Sequence, residues 1–395
     1  MAGRLGAAWA ARRNALVAAP WFQRFAGRFW PFRAVAAREA ARLFDLTAGF
    51  VYSQVLAAVV RLGLVERLAA GPMGEAALVE ASGLPPAALR RLMEGAEAID
   101  LVERLGERLG ERLGEARSET VWGLSMLGAA LAANAGAVAM IRHHDMLYRD
   151  LEDPVALLAG GRTAAGAEPE IGRFWAYARD PGAEGRLAQT FGPEAVDAYS
   201  ALMAASQDFI AEQVLDRLPL GRIATLVDMG GGEGAFVEAA ARRAPHLRLG
   251  LLDLPAVAER ARTRLAAAGL GDRIEVRGGD FFRDAAPFAA EGGADAVSLV
   301  RVLYDHDDAF VAGLLRRARA ALKPGGRLIV AEPMAGLAGG RRAGAYFALY
   351  LAAMGSGRIR RPAEIAALAR AAGFTRIRRL RTAQPVLCGL VTARA

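Results

Sequence analysis

One stretch of this 395-residue chain indicates its fold class. It reads Leu226-Val227-Asp228-Met229-Gly230-Gly231-Gly232-Glu233-Gly234. A short apolar run ends beside an acidic residue, glycines follow at once, and a helical pattern opens at Ala235. Glycines at such a turn let the backbone bend sharply and approach a ligand closely. The stretch therefore predicts the first strand, turn and helix of an α/β domain, with a ligand site at the turn.

Outward from this stretch, short apolar strands alternate with helices as far as the C-terminus. The predicted strands are Thr225–Met229, Leu249–Asp253, Ile274–Gly278, Ala296–Val300, Arg327–Glu332 and a pair near Phe374–Leu380 and Val386–Ala393. The predicted helices are Ala235–Arg243, Ala256–Ala268, Ala309–Ala321 and Pro362–Ala372. This alternation is typical of an α/β, doubly wound and mostly parallel sheet.

The glycine turn also fits the dinucleotide pattern G-x-G-x-x-A, which by itself is a weak signal. An acid before the glycines would repel a pyrophosphate and would favour a cationic aminoacyl group. Ligands of open α/β sheets bind along the carboxyl edge, where a second acid and a ring follow the third strand. The residues that argue against NAD are Asp228, Gly234, Asp280 and Phe281.

With these residues in place, the C-terminal half resembles the class I S-adenosylmethionine (SAM)-dependent methyltransferases, whose motif is D-x-G-x-G-x-G. The resemblance implies SAM as cofactor, with Asp253 accepting the ribose hydroxyls and Asp280 and Phe281 placed at the adenine. The Lys323–Arg327 turn before a strand matches the same family. The resulting cofactor-binding set is Asp228, Gly230, Gly232, Asp253, Asp280, Phe281 and Arg301.

The N-terminal half has the outline of a winged helix. A helical stretch over Leu43–Leu68 precedes helices at Glu75–Ser82 and Ala87–Ile99 and an extended pair at Leu101–Arg104 and Val121–Leu124. Between the strands, Glu103-Arg104-Leu105-Gly106 occurs three times, which predicts an exposed wing loop without chemistry. The uncharged stretch Thr120–Ile141 is interpreted as a buried helix rather than a membrane span, because it is mostly alanine and glycine.

The predicted organisation has three parts. Residues 1–45 are an extension rich in aromatic residues and arginine, 46–155 a winged-helix dimerisation domain, and 156–395 a Rossmann-like methyltransferase domain with substrate-pocket helices. A Gly-, Pro- and Ala-rich segment over Asp150–Ala183 is expected to link the last two.

A winged-helix half before this methyltransferase half resembles the small-molecule O-methyltransferases related to plant phenolic enzymes, which implies a homodimer. Finer motifs are similar to those of the acyclic 1-hydroxycarotenoid (demethylspheroidene-type) O-methyltransferases of purple bacteria. Related bacteriochlorophyllide C-methyltransferases share much of the pattern. The motifs are Phe44–Leu46 with Gly49–Gln54, His143–Tyr148, Arg301–Asp308, and Ala345–Phe347 with Met354–Arg358.

The chain departs from the phenolic pattern at the catalytic base. Where those enzymes carry histidine, this chain carries Tyr304, and Ile359 stands at the second family glutamate. A histidine can deprotonate a phenol, whose pKa is near 10, whereas a tertiary alcohol loses its proton only during or after methyl transfer. Most of the acceleration would then come from alignment. The catalytic candidates are Tyr304, His306 and Glu332.

The expected acceptor is a lipophilic small molecule in a long apolar tunnel. The candidate substrate residues are His143, His144, Met203, Phe347, Tyr350 and Met354. Pro20 and Pro31 break the N-terminal extension, whose aromatic rings and arginines suit a membrane interface or packing on the body or a second subunit. We therefore expect a cytoplasmic protein with peripheral contact to the inner, photosynthetic membrane.

Composition limits the alternatives. With Cys388 alone and four histidines, the chain offers neither a disulfide framework nor an evident metal cluster, and methyl transfer from a sulfonium needs no metal. A net charge of +8 is compatible with a winged-helix DNA-binding regulator. The helix Ala87–Ile99 is not basic-faced, however, which argues against a nucleic-acid partner. The remaining alternatives are bacteriochlorophyllide C-methylation and methylation of a phenol or polyketide.

Overall fold

The computed structural model describes residues 2–105, 120–175, 207, 210–338, 340–385 and 387–395. It divides into two compact units, Met1–Ala133 and Asn134–Ala395. We expected the dimerisation domain to extend to residue 155, but the division falls earlier. A helix over Ala135–Asp150 packs on helices Glu170–Phe174 and Gly340–Met354 of the second unit, and it therefore belongs to the methyltransferase half.

The first unit opens with three helices, α1 (Ala2–Ala18), α2 (Pro20–Arg28) and α3 (Trp30–Arg61). The two prolines lie in the first turns of α2 and α3, where a missing N–H is tolerated, so they separate the helices as predicted. Helix α3 is long and apolar enough to cross a membrane, and 17% of its most apolar part is buried. Length and composition alone are weak evidence for a span.

The rest of the first unit has the predicted winged-helix outline. Its elements are α4 (Leu64–Ala70), β1 (Met73–Gly74), α5 (Glu75–Ser82), α6 (Pro86–Ala98), β2 (Val102–Leu105), β3 (Val121–Leu124) and α7 (Met126–Ala132). The strands form an antiparallel sheet in the order β1-β3-β2, and the two-residue β1 was not predicted. Residues 106–114 of the repeat lie outside the described residues. Arg90 on α6 is ion-paired with Glu75 at 2.6 Å, which further weakens a DNA-reading role.

The stretch Thr120–Ile141 is not the single buried helix that we expected. It contains β3, α7 and the start of α8 (Ala135–Asp150). The Ser125 side chain accepts a hydrogen bond from the Gly128 N–H, and Asn134 accepts one from Ala137. Each polar side chain therefore caps a new helix, which divides the stretch.

The second unit is built on a seven-stranded sheet in the order β6-β5-β4-β7-β8-β10-β9. The strands are β4 (Thr225–Met229), β5 (Arg248–Asp253), β6 (Ile274–Gly278), β7 (Ala294–Val300), β8 (Leu322–Glu332), β9 (Thr375–Leu380) and β10 (Gly389–Arg394). Strands β4 to β8 pair in parallel, whereas β10 pairs antiparallel with β8 and β9. This is the predicted doubly wound fold.

The second unit also contains eight helices among the described residues that are named here. They are α8, α9 (Pro154–Gly160), α10 (Glu170–Phe174), α11 (Ala235–Arg243), α12 (Pro255–Ala267), α13 (Asp308–Ala320), α14 (Gly340–Met354) and α15 (Pro362–Ala371). Neighbouring strand residues such as Leu226 and Val227 belong to different core clusters, as expected for a sheet buried on both faces. The segment expected to link the domains contains α9 and α10, which pack on α14.

Candidate active site

The glycine turn at the end of β4 is shaped for close approach. Gly230 and Gly232 have φ angles of 74° and 56°, in the left-handed region that favours glycine. A Cβ at Gly230 would lie 2.7 Å from Val302 and 3.4 Å from the Phe281 ring, too close to the valine to be accommodated. A Cβ at Gly232 would meet no atom within 4 Å. The turn therefore presents bare backbone toward open space at the carboxyl edge of the sheet.

Asp253, at the end of β5, is tied to this turn. Its Oδ2 accepts a hydrogen bond from the Gly232 N–H at 2.7 Å, and its Oδ1 accepts one from the Leu254 N–H at the same distance. Each carboxylate oxygen keeps further acceptor capacity. The carboxylate is therefore held beside the glycine turn, at the carboxyl edge of the sheet.

Asp228 lies beneath the turn instead of at its surface. The carboxyl group is buried and accepts a hydrogen bond from the Ser298 hydroxyl at 2.6 Å. Burial, with a smaller contribution from the charge of Asp253, raises the pKa of Asp228 to about 7. A cationic ligand group at this point would stabilise the ionised form.

Asp280 and Phe281 follow β6 as predicted. The Asp280 carboxylate is partly exposed and accepts a hydrogen bond from the Phe282 N–H at 2.8 Å. The Phe281 ring lies near Gly230. Of the predicted cofactor set, the glycines, Asp253 and Phe281 therefore converge on one edge. A nucleoside with a ribose diol and an attached ammonium group fits this combination of bare backbone, carboxylates and an aromatic ring.

A second, enclosed pocket of about 20 Å³ lies beyond β7 and has room for about one water molecule. Its walls are mostly aromatic and sulfur-containing, and three polar side chains lie among them. The lining residues are Met140, Trp175, Arg301, Tyr304, Asp305, Tyr346, Phe347, Tyr350 and Met354. The pocket therefore combines apolar walls with a small polar group.

Arg301, Tyr304 and Asp305 form that polar group. Arg301, which the sequence predicts to bind the cofactor, lines this pocket, and its Nη2 donates a long 3.5 Å hydrogen bond to the Tyr304 hydroxyl. The Asp305 carboxyl lies close enough to Tyr304 for the two side chains to affect each other's pKa. Burial raises the pKa of Tyr304 to about 12 and that of Asp305 to about 7. Near neutral pH the tyrosine is therefore protonated, whereas the aspartate can change its protonation state.

His143 and His144 stand behind two tyrosines of the pocket wall. His143 Nε2 lies 2.8 Å from the Tyr350 hydroxyl, and His144 Nε2 lies 2.8 Å from the Tyr346 hydroxyl. Burial lowers the pKa of His143 to about 4 and also lowers that of His144, so both rings are neutral at neutral pH. Neither histidine lines the pocket.

The remaining predicted substrate residues divide clearly. Phe347, Tyr350 and Met354 line the pocket, whereas Met203 lies outside the described residues. Trp175 also lines it, and its Nε1–H donates to the Tyr350 hydroxyl at 2.6 Å. We did not single out Trp175, because its Gly-, Pro- and Ala-rich surroundings indicated a linker.

His306 does not reach this pocket. Its ring stacks on Phe310 with 3.8 Å between the ring centroids, and Phe310 packs edge-on against Phe282. Tyr304 lies within the 3₁₀ turn Leu303–Asp305, and His306 is the residue that follows this turn. The turn therefore points neighbouring side chains toward different surroundings, which their adjacency in the sequence did not reveal.

Glu332, the third catalytic candidate, is fully buried at the end of β8 and supports the same turn. Its Oε2 accepts the backbone N–H of Tyr304 at 3.1 Å. Burial raises the pKa of this carboxyl to about 8. Because Glu332 contacts the backbone of Tyr304 and is not among the pocket-lining residues, its geometry is that of a positioning residue.

Arg360 holds the other side of the turn. The guanidinium is fully buried and donates to the carbonyls of Leu303 and His306 at 2.6 and 2.8 Å, while Asp308 lies 2.7 Å away. A Cβ at Gly357 would overlap the carbonyl of Tyr304, so this segment packs tightly on the turn. No pattern in the sequence indicated the role of this arginine, because its partners lie about 50 residues upstream.

Comparisons with known proteins agree with this geometry. Residues 172–375 match the model of the O-methyltransferase domain, and residues 44–132 match that of the O-methyltransferase dimerisation domain. The chain is 43% identical to demethylspheroidene O-methyltransferase of Cereibacter sphaeroides, over 94% of this chain and 91% of that protein. It is 40% identical to demethylspheroidene O-methyltransferase of Rhodobacter capsulatus, over 91% and 83%.

A solved structure with the same fold is that of human N-acetylserotonin methyltransferase in complex with SAM. It has a TM-score of 0.69 and 23% identity, and the match covers 90% of this chain and 97% of that one.

The chain therefore belongs to the class I, SAM-dependent O-methyltransferase family. The resemblance that we drew from the motifs is confirmed by the two relatives at 40% identity and above. The protein is an O-methyltransferase with SAM as its cofactor, and its dimerisation domain supports assembly as a homodimer. The glycine turn with Asp253 and Phe281 fits that cofactor.

Proposed function

We propose that this enzyme methylates the tertiary 1-hydroxyl of an acyclic carotenoid, of the hydroxyneurosporene or demethylspheroidene type, in carotenoid biosynthesis. The observation that carries the proposal is the 43% identity to a demethylspheroidene O-methyltransferase, which spans nearly the whole chain. The composition of the pocket wall agrees with the proposal, because a polyene end with one hydroxyl needs apolar walls and a single polar contact point. At about 20 Å³ the pocket is not the long tunnel that the sequence predicted, so in this proposal it widens when the acceptor binds.

The walls suit such an acceptor because their polar atoms are already paired. Trp175 can only donate, so the Tyr350 oxygen accepts from it and the Tyr350 proton is left for His143 Nε2. The Tyr346 hydroxyl donates to Met140 Sδ at 3.6 Å, so its oxygen is open to the Nε2–H of His144. The remaining contact for an acceptor hydroxyl is the polar group around Tyr304.

SAM supplies an electrophilic methyl group on a sulfonium, which leaves as a neutral thioether. In our proposal Asp253 holds the ribose, Phe281 and Asp280 lie at the adenine, and Asp228 beneath the turn favours the ammonium group. Their part is to bind and align, which supplies most of the acceleration when the acceptor is a poor acid. No residue is required to form an alkoxide in advance.

The acceptor proton leaves through Tyr304 in this proposal. As the new C–O bond forms, the acceptor O–H bond breaks and its proton passes to the Tyr304 oxygen, while the Tyr304 proton passes to the Asp305 carboxylate. Asp305 ends neutral, and Arg301 stays as a donor to the tyrosine oxygen. A tyrosine with a pKa of about 12 is no base by itself near pH 7, but it can relay a proton to a carboxylate.

Of the catalytic candidates, we retain Tyr304 as the residue that touches the acceptor. We assign Glu332 to positioning, because it holds the Tyr304 backbone. His306 has no part in this scheme, since its ring stacks on Phe310 away from the pocket.

The test is an acceptor assay with purified protein and methyl-labelled SAM in detergent micelles. A 1-hydroxy acyclic carotenoid, a bacteriochlorophyllide and a catechol are supplied separately, and products are separated by chromatography. We expect label only on the carotenoid, as a methyl ether. Label on the tetrapyrrole or the catechol would replace the proposed acceptor while leaving the cofactor site intact.

Two controls make the assay specific. Asp253→Ala should lose activity with every acceptor because it weakens cofactor binding, whereas Tyr304→Phe should lose activity and keep its affinity for SAM. A carotenoid lacking the 1-hydroxyl should accept no label. Labelling of that compound would contradict methylation at oxygen.

A further inference from the structure

The N-terminal residues 2–38, here called the aromatic–arginine segment, lie outside both matched family domains. The dimerisation domain begins at residue 44. The segment comprises α1, α2 and the start of α3. Most side chains of residues 6–38 are exposed. Its composition differs from that of the rest of the chain in both charge and aromatic content.

The charge of the segment has a single sign. Residues 1–38 contain seven arginines and no aspartate or glutamate, whereas the whole chain has a formal net charge of +8. Almost all of the protein's excess positive charge is therefore concentrated in about a tenth of its length. Such a cluster attracts an anionic surface within about one Debye length.

The aromatic rings of α2 and α3 form one exposed cluster. The Phe22, Phe25, Phe29 and Phe32 rings lie with centroids 5.1 to 6.5 Å apart. Trp30 is 86% exposed beside them. An exposed apolar patch of this kind indicates a surface that binds a membrane, another protein or a ligand.

The positions on α2 place the charges next to the rings. At 100° per residue, Trp21, Phe25 and Phe22 occupy about 100° of the helix surface, and Arg28 and Arg24 lie together beyond the Trp21 edge of that side. Rings at the acyl boundary with arginines reaching back to phosphates are the arrangement of an interfacial helix.

A second copy of the chain fits this segment less well. A symmetric contact that placed the patch against itself would put arginine against arginine, with no acid in the segment to pair them. The stretch 43–60, which contains only one charged residue, Asp45, overlaps the dimerisation domain and is the better surface for the partner.

We propose that the aromatic–arginine segment docks this enzyme on an anionic phospholipid bilayer, with its rings at headgroup level and its arginines on lipid phosphates. The inference does not rest on the identity of the acceptor. It gives the enzyme access to a surface where lipophilic molecules reside, with the helices lying in the interface.

The test is partition of the full-length protein on vesicles of phosphatidylcholine with and without phosphatidylglycerol, measured by flotation at low and high salt. We expect binding only with phosphatidylglycerol, weakened by salt. Arg24→Glu/Arg28→Glu changes the charge by four units, and each unit near an anionic surface contributes about fivefold, so partition should fall by about 100-fold or more. Trp30→Ala should lower it by about threefold to tenfold.

Matched controls make the same change of charge, and remove an exposed apolar side chain, elsewhere on the protein. Arg378→Glu/Arg379→Glu alters two arginines of β9, and Leu158→Ala trims an exposed side chain of α9. Both should bind vesicles like the natural protein. Methylation in detergent micelles should stay within twofold for all four variants, which separates this test from that of the acceptor.

Three results would overturn the proposal. One is a loss of vesicle binding in the β9 control as large as that in the Arg24/Arg28 variant. A second is vesicle binding that is the same with and without phosphatidylglycerol. The third is an effect on a different partner while vesicle binding is unchanged. If the Arg24/Arg28 variant becomes monomeric by light scattering, the segment binds a second copy of the chain. If the variant loses affinity for duplex DNA, the segment binds a nucleic acid.

Discussion

Replacing Asp305 with asparagine tests the proposed proton path most directly. The amide side chain of Asp305→Asn would keep nearly the same shape and could still accept a hydrogen bond from Tyr304, but it cannot take up a proton. A positioned general base contributes about 10²- to 10⁴-fold to a rate. Because Asp305 acts through Tyr304, we expect kcat to fall by about 100-fold, while the affinity for SAM is unchanged.

The pH dependence gives the second readout for Asp305→Asn. Burial raises the pKa of Asp305 to about 7, and only the ionised carboxylate accepts a proton. The rate of the natural enzyme should therefore rise as the pH passes through about 7. In Asp305→Asn this rise should disappear, which a merely structural role would not produce.

A double-variant cycle completes this test. Tyr304→Phe keeps the ring contact with Phe347, whose centroid is 5.9 Å away, and removes only the hydroxyl. If the two residues act as one path, the double variant should be no slower than the slower single variant. Single-turnover rates across about pH 5.5 to 9 would measure it. Additive losses, or a rate for Asp305→Asn within about threefold of normal, would refute the reasoning.

Three further outcomes are expected. Asp253→Ala should weaken SAM binding by about 10- to 100-fold in calorimetry, because a charged acceptor is lost; an unchanged Kd would place the ribose elsewhere. Arg360→Met should lower the free energy of unfolding by about 3 kcal/mol in denaturant titrations, since it leaves the buried carbonyls of Leu303 and His306 without this donor; a loss below about 1 kcal/mol would contradict this. Burial raises the pKa of Glu332 from 4.5 to about 8 in the folded protein. The free energy of unfolding should therefore fall as the pH rises from 4.5 to about 8, by up to about 1.4 kcal/mol per pH unit. Glu332→Gln should remove that part of the slope, and an unaltered slope would assign it to other groups.

The methyltransferase fold was predictable because its signals are local. Strands β4 and β6 and helices α5 and α11 have the predicted limits, since each is a short apolar run or helical pattern bounded by residues that favour turns and caps. The cofactor edge followed from the same signals, because parallel strands bring Gly230, Asp253 and Phe281 to one side.

The failures of prediction are non-local. The division after Ala133 depends on α8 packing against α14, some 200 residues later, and no pattern within α8 reveals that partner. Arg301, at the end of β7, has a left-handed φ of 58°, and the sequence does not indicate that this residue lines the pocket around Tyr304. The position of His306 was also not predictable from its neighbours in the sequence. The 3₁₀ turn before it places its ring on Phe310 and away from the pocket.

The histidines and tyrosines of α8 and α14 explain how polar residues can build an apolar binding wall. Consecutive histidines on α8 meet tyrosines spaced by four residues on α14, so each donor is matched to an acceptor across the two helices. Burial then keeps all four side chains neutral near pH 7, because it lowers the pKa of His143 and His144 and raises that of Tyr346 and Tyr350.

When the polar atoms of a wall are paired and the wall has no net charge, a hydrocarbon can bind against it with little desolvation penalty. A substituted phenol, in contrast, gains affinity from hydrogen-bond donors that are not yet paired. The same logic applies to the proton. In the described part of the pocket lining, Arg301 is always charged and Tyr304 stays protonated, while the Asp305 pKa lies near 7. In the proposed proton path, the exchange of a histidine for Tyr304 therefore moves the proton acceptor to Asp305 instead of removing it. That arrangement suits an alcohol that releases its proton only as the methyl group arrives.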